Sequence, residues 1–303
     1  MTSTTSAAAA TADPGLGLTG TDALLALMVL VWAINYIVLK AVLREIEPLA
    51  FNALRFTIAA SSLALIARFG RSPRPSAVDI RKLGLLGLLG NTIYQFGFIE
   101  GLAHTRAGNC ALIMAAVPVQ TAVIGHVSGH EPLRRRDMLG LAVSSAGIAT
   151  IILGSDRGVS FGGTIVGDLL VLAATVCWSF YIVGIKPHLD RYGAITVTAW
   201  TMGLGTIPMV LLSLPAVIAQ PWRAVSVQAY SGLVFSALGA IVLAYIIWSR
   251  GIQRLGPART SMYSNVTPVV VMLLAWPLLS ETPTAWQVLG AAGIFTGLWL
   301  TRS

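Results

Sequence analysis

Apolar residues run along this chain in long, nearly uninterrupted stretches, separated by short polar breaks that hold most of its charges. A helix rising 1.5 Å per residue needs about 20 apolar residues to cross roughly 30 Å of hydrocarbon, and windows of about that length recur. Ten spans are predicted: Thr21 to Leu39, Leu49 to Phe69, Leu83 to Ala103, Ala107 to Val127, Met138 to Leu153, Thr164 to Ile185, Ala194 to Ala219, Val227 to Trp248, Pro257 to Leu279 and Ala285 to Leu300. The fifth and tenth are short.

An even number of spans puts both ends of the chain on one side. That side would carry Arg68, Arg71, Arg74, Arg81, Lys82, Arg134, Arg135, Arg136, Lys186, Arg191, Arg250, Arg254, Arg259 and Arg302, fourteen cations. The opposite loops carry five, Lys40, Arg44, Arg106, Arg157 and Arg223, and Arg55 lies inside a span. Positive residues accumulate in cytoplasmic loops, so both termini are expected there. Residues 1–20, rich in Ala, Ser and Thr and without a positive n-region, read as a disordered cytoplasmic tail before an uncleaved first helix.

Composition supports the membrane reading. Of 303 residues, 55% are hydrophobic and 11% charged, less than half of the roughly 25% usual in globular proteins. Mean hydropathy is +0.78. A disordered, fibrous or disulfide-stapled chain is excluded, and so is a soluble one. The net charge of +8 would point a soluble protein toward nucleic acid. Here it reflects the cytoplasmic loops, and no nucleic-acid partner is expected. Cys110 and Cys177 both sit within apolar runs, where a small polarizable side chain packs well.

The chain repeats itself. Trp32 to Lys40 and Trp178 to Lys186 have the same spacing at an offset of 146, and Gly101/Gly251, Pro118/Pro268, Glu131/Glu281, Gly140/Gly290 and Gly147/Gly297 pair at an offset of 150. Two homologous five-span halves follow, 21–154 and 155–303. Five is odd, so the second half enters the bilayer from the opposite face, an inverted repeat of the kind secondary transporters use. The expected fold is an all-α membrane protein, ten transmembrane helices as two inverted five-helix repeats around a central cavity.

The Arg55-Phe56 pair in the second span resembles EamA-type members of the drug/metabolite transporter superfamily. So does the twice-used order of Pro, Glu thirteen residues on, Gly nine further and Gly seven further. Within that superfamily the chain is similar to the YddG-type exporters of aromatic and other uncharged amino acids. The resemblance implies ten helices, cytoplasmic termini, a cavity between the halves and export across the inner membrane.

Candidate residues come from polar and aromatic positions within spans. Pro118 and Pro268 fall mid-span at equivalent places, and a proline there frees carbonyls that a cavity or neighbouring groups must satisfy. They are candidate hinges, with a packing kink as the alternative. Asn35 and Tyr36 in the first span, Tyr94 and Gln95 in the third, Trp178 and Tyr181 in the sixth, Tyr245 in the eighth, and Tyr263 and Asn265 in the ninth are candidate substrate contacts. Amide and phenol groups are costly in lipid, so they bond between helices or face a wet cavity. Trp248, near a span end, reads as interfacial belt. Arg55 must be paired at membrane depth, and Glu100 or Glu47 is the expected partner in a structural ion pair, with a substrate carboxylate as the alternative. No acid lies mid-span, which favours a neutral or zwitterionic substrate.

Other motifs are discounted. Gly15 to Gly20 fits a dinucleotide fingerprint but follows no strand. His126 and His130 lack the acid of a zincin and lie near the interface, so no metal and no cofactor are expected. The function expected is export of small uncharged metabolites, most readily amino acids including aromatic ones, by alternating access, with no enzymatic activity. An intramembrane transferase, or a passive channel or structural subunit, are the alternatives. The partners expected are a small-molecule substrate and the lipid bilayer.

Overall fold

The computed structural model describes residues 20–70, 73–128, 135–153, 163–255, 260, 263 and 266–300, and every regular element among them is helical. The first half contains α1 (Gly20–Val42), α2 (Pro48–Phe69), α3 (Ala77–Gly87), a π-helical segment (Leu88–Ile93), α4 (Tyr94–His104), α5 (Ala107–Met114), α6 (Val117–Val127) and α7 (Arg135–Leu153). The second contains α8 (Gly163–Tyr192), α9 (Ala194–Ala219), α10 (Val227–Phe235), a second π segment (Ser236–Leu243), α11 (Ala244–Leu255), α12 (Thr267–Leu279) and α13 (Ala285–Leu300). Six continuous stretches, those beginning at Gly20, Pro48, Ala107, Ile165, Ala194 and Val227, are long and apolar enough to cross a membrane.

Local chemistry sets the helix starts. Glu47 caps α2, accepting the Ala50 N–H at 2.8 Å, with Pro48 in the first turn, where its missing N–H costs nothing. Ser76 accepts from the Asp79 N–H and Ser226 from the Ala229 N–H, so the third helical stretch of each half is capped by a serine at an offset of 150. Gly193, at φ +79°, turns the chain directly from α8 into α9. The helix beginning at Gly163 runs past the expected end at Ile185 to Tyr192, its polar last turns joined by a Lys186–Asp190 pair four residues apart.

The halves interlock through equivalent elements. α2 lies along α9, and α7 along α13. Both pairs are antiparallel: Gln220, after α9, bonds the Glu47 N–H before α2, and Gly147 meets Gly290 where Gly140 meets Gly297. A β-carbon on Gly297 would come within 2.4 Å of the Gly140 carbonyl, and one on Gly147 within 2.7 Å of the Gly290 carbonyl. These glycines therefore allow backbone-to-backbone packing in the absence of any hydrophobic drive between helices in lipid. Ser144 donates to the Ile294 carbonyl between them, again 150 residues apart.

At one rim Glu45 accepts from both the backbone and the hydroxyl of Ser226. At the other, Asp79 accepts from Tyr192, Ser76 and Arg191, and His188 lies 3.9 Å away. Asp79 precedes the apolar stretch that starts at Leu83. Hydrogen bonds from Tyr192 and Ser76, helped by Arg191, hold its carboxyl below the usual range. A lowered folded-state pKa stabilises above the unfolded value of about 3.9 and is lost as pH falls through the folded value. Asp79→Asn is thus expected to lower the melting temperature in detergent at pH 7, with the gap to wild type closing in acid. An equal gap at pH 7 and at pH 3 would contradict this.

Candidate functional site

Where the two halves meet, residues of α1, α2, α4, α5, α6, α8, α11, α12 and the second π segment line a cavity of about 90 Å³, room for about three waters. Its most unusual group is Arg55, 2% exposed. The guanidinium donates from Nη2 to Asn52 Oδ1 at 2.6 Å and Gln95 Oε1 at 2.8 Å, and from Nη1 to Ser236 Oγ at 3.1 Å. It also lies 5.2 Å from the Phe51 ring centroid and 5.4 Å from that of Phe56. The expected ion pair is therefore corrected. Arg55 is held by neutral oxygens and aromatic rings, and among the described residues no carboxylate forms a salt bridge with it. Glu100 instead lies 3.7 Å from His104 on its own helix, and Glu47 is engaged at the start of α2. Spacing alone placed Glu100 at a similar depth. The three neutral partners reach Arg55 because the face of α2 that carries it turns inward.

Gln95 joins the halves. Its Nε2 donates to the Tyr245 hydroxyl at 3.3 Å, a bond between positions 150 residues apart, and its backbone carbonyl accepts from Asn52. Both residues follow a π segment ending at an equivalent place, Ile93 and Leu243. A π turn breaks the regular i→i+4 ladder and is frequent at functional sites. Here the Ala240 carbonyl in the second segment accepts from Trp32 Nε1 at 3.0 Å.

Rings form the rest of the wall. Trp178 stacks on Tyr94 at 4.8 Å and on Tyr181 at 5.0 Å, Trp32 meets Trp248 at 5.4 Å, and Tyr36 meets Phe98 edge-on at 5.8 Å. Asn35, Tyr36, Tyr94, Gln95, Trp178 and Tyr245 all line the cavity, as does Arg55. Tyr181 stands behind Trp178 and bonds Thr201. Tyr263 lies elsewhere, bonded to Asp22 near the start of α1, so its expected substrate contact is corrected. Asn265, with Ser261, Ser264, His130 and Glu131, lies outside the described residues. Trp248 is 2% exposed and lines the cavity, against the expectation of a belt residue. Asn52 and Ser236 were missed. Both are ordinary polar residues in apolar runs, and nothing in their spacing marks them as partners of Arg55.

The prolines occupy a different local position from the one expected. Pro118 sits in the first turn of α6 and Pro268 in the first turn of α12, where a missing N–H breaks no intrahelical bond. Before Pro118 the stretch is interrupted at Ala115 and Ala116: the Ala115 N–H bonds carbonyls both three and four residues back, and the Ala116 N–H bonds the Ile113 carbonyl three back. Val117 and Thr267, each next to a proline, line the cavity.

A helical chain with a central cavity, walled by aromatic rings around a buried Arg55, between two repeated halves has the form of a multi-pass membrane transporter. The chain matches the EamA-like transporter family twice, over residues 20–153 and 165–303, and belongs to that family. A probable terminal-alkyne amino-acid exporter of Streptantibioticus cattleyicolor is 28% identical, with 91% of each chain covered. A probable amino-acid metabolite efflux pump of Salmonella typhimurium is also 28% identical, covering 92% of this chain and 94% of that one. A solved crystal structure superposes with a TM-score of 0.66 at 20% identity, over 94% of this chain and 96% of the other, and so shares its fold. Family membership points to transport rather than catalysis.

Proposed function

We propose that this protein exports zwitterionic amino acids, aromatic ones included, across the inner membrane by alternating access. The central cavity is the site, ten spans form two inverted five-helix repeats divided as 21–154 and 155–303, and both termini are cytoplasmic. The observation that carries the reading is Arg55. A buried guanidinium costs a great deal unless its charge is met. Neutral oxygens meet part of it, and a substrate carboxylate entering the cavity meets the rest. The aromatic wall suits an apolar side chain attached to that head group. The relatives named for amino-acid export support the same class.

The test is counterflow. Purified protein in liposomes should exchange labelled neutral amino acids with saturation, and failure to exchange any member of a broad panel would overturn the reading. A C-terminal reporter active only in the cytoplasm should work after Ser303, whereas activity of a periplasmic reporter there would sink the ten-span topology.

Alternating access needs the half-helices that begin at Pro118 and Pro268 to move against their preceding segments. Pro118→Ala and Pro268→Ala each restore an N–H, and Pro118→Ala also favours one continuous helix from Ala107 to Val127. Both should slow exchange about tenfold while substrate binding at equilibrium changes by less than tenfold. Wild-type rates in both variants would remove the hinge role, and proportional loss of binding and rate would make the prolines shapers of the pocket.

A further inference from the structure

Arg55 answers one end of a substrate, and other atoms around the cavity are matched to a different chemistry. Three further lining side chains carry a buried polar atom with no hydrogen bond inside the protein: Asn35 Oδ1, Thr267 Oγ1 and Trp248 Nε1. These residues are 8%, 6% and 2% exposed, so bulk water does not satisfy those atoms. Leaving a buried polar atom unpaired is costly, and a native fold keeps few of them. Counting Arg55 Nε, four of the eight such atoms among the described residues belong to side chains lining this one cavity, and atoms of both hydrogen-bonding types gathered there point to a ligand.

The atoms divide by type. Trp248 Nε1–H can only donate, as can Arg55 Nε–H, which is likewise unbonded within the protein. Asn35 Oδ1 can only accept, and the Thr267 hydroxyl can accept as well as donate. The donors sit on α11 and α2. The acceptors sit on α1 and at the start of α12, two helices that pack against each other. Among the described residues no Asp or Glu lines this cavity, so an ammonium held away from Arg55 would meet neutral oxygens and the rings of Trp32 and Tyr245. One chemical group demands both ends together, a free α-amino acid head with its carboxylate and its ammonium.

We propose that Asn35 and Thr267 receive the substrate's ammonium group while Arg55, assisted by Trp248, holds its carboxylate. The cavity is then strict about the head group and permissive about the side chain, which is left to the aromatic wall. The inference rests on the cavity being the transport site. The symmetric scaffold does not duplicate this arrangement, because α9, the counterpart of α2, carries no Lys or Arg. The two ends of the head group are therefore distinguished, and the substrate has one bound orientation.

The experiment is competition against counterflow of labelled phenylalanine in liposomes. The competitors are unlabelled phenylalanine, its N-acetyl derivative, the deaminated acid 3-phenylpropionate and the decarboxylated amine phenethylamine. In wild type each of the three analogues should compete at least about 30-fold more weakly than phenylalanine. Asn35→Leu and Thr267→Val should each weaken competition by phenylalanine about tenfold while changing that of 3-phenylpropionate by less than about threefold, because only the ammonium contact is lost. Thr267→Ser, which keeps the hydroxyl, should restore the wild-type pattern. Competition by 3-phenylpropionate within about threefold of phenylalanine in wild type would overturn the ammonium end, whether or not the variants fold. Competition by phenethylamine at that level would overturn the carboxylate end. Absence of exchange with every amino acid would instead fell the exporter reading itself.

Discussion

Arg55→Gln is expected to abolish exchange while leaving the fold intact. Truncating one partner of a buried, hydrogen-bonded charge pair costs about 2–5 kcal/mol, so exchange should fall at least 30-fold. The effect on stability should be of opposite sign. With no substrate bound, the guanidinium is a desolvated cation met by Asn52, Gln95 and Ser236, all neutral. Glutamine removes that burden and can still bond the same amides, so the melting temperature in detergent should hold or rise. Arg55→Lys keeps the charge but loses the fork that reaches several oxygens at once, and should recover only part of the rate. If Arg55 is instead a brace, Arg55→Gln loses melting temperature and exchange together.

Gly297→Val should have the second large effect, on folding itself. An added β-carbon would lie 2.2 Å from Ser144 Oγ and 2.4 Å from the Gly140 carbonyl, and the latter is backbone that cannot turn aside. Overpacking of this kind costs about 1–3 kcal/mol, and forcing α7 away from α13 also breaks the Ser144 bond to Ile294. The yield of monodisperse protein and its melting temperature should both drop sharply. Gly203 provides the control, since nothing lies within 4 Å of a β-carbon there. If Gly297→Val melts where Gly203→Val does, backbone packing of α7 on α13 is not what holds the halves together.

The long apolar runs and the repeated Trp, Lys, Pro, Glu and Gly made the helical class and the two halves legible, because such residues rarely recur in order at one offset by chance. The inward face of each helix was harder to read. Trp248 lies near the end of its apolar run, which suggested the membrane interface, but position along a helix does not fix which way a side chain points. The π segments left no mark either. One residue of extra winding in Leu88–Ile93 alters which neighbours Gln95 meets without altering composition. The partners of Arg55 were misjudged for a related reason. Ser236 is 181 residues away and Gln95 is 40, and only the packing of α2 against α4 and the second π segment brings them together. An acid at similar depth was the more obvious choice, but the structure meets the charge with amides, a hydroxyl and rings.

Arg55 also bears on the energetics of a transport cycle. A membrane potential is worth about 2.3 kcal/mol per elementary charge per 100 mV. The guanidinium belongs to the protein and returns to its starting place each cycle, so its passage through the field sums to zero. A zwitterion brings equal and opposite charges with it, and the loaded site is as positive as the empty one. The electrical gradient then does no net work on such a cargo. For a zwitterionic cargo of the kind proposed, export would then follow the cargo's own concentration gradient, and movement against that gradient would need a second solute in the same cycle.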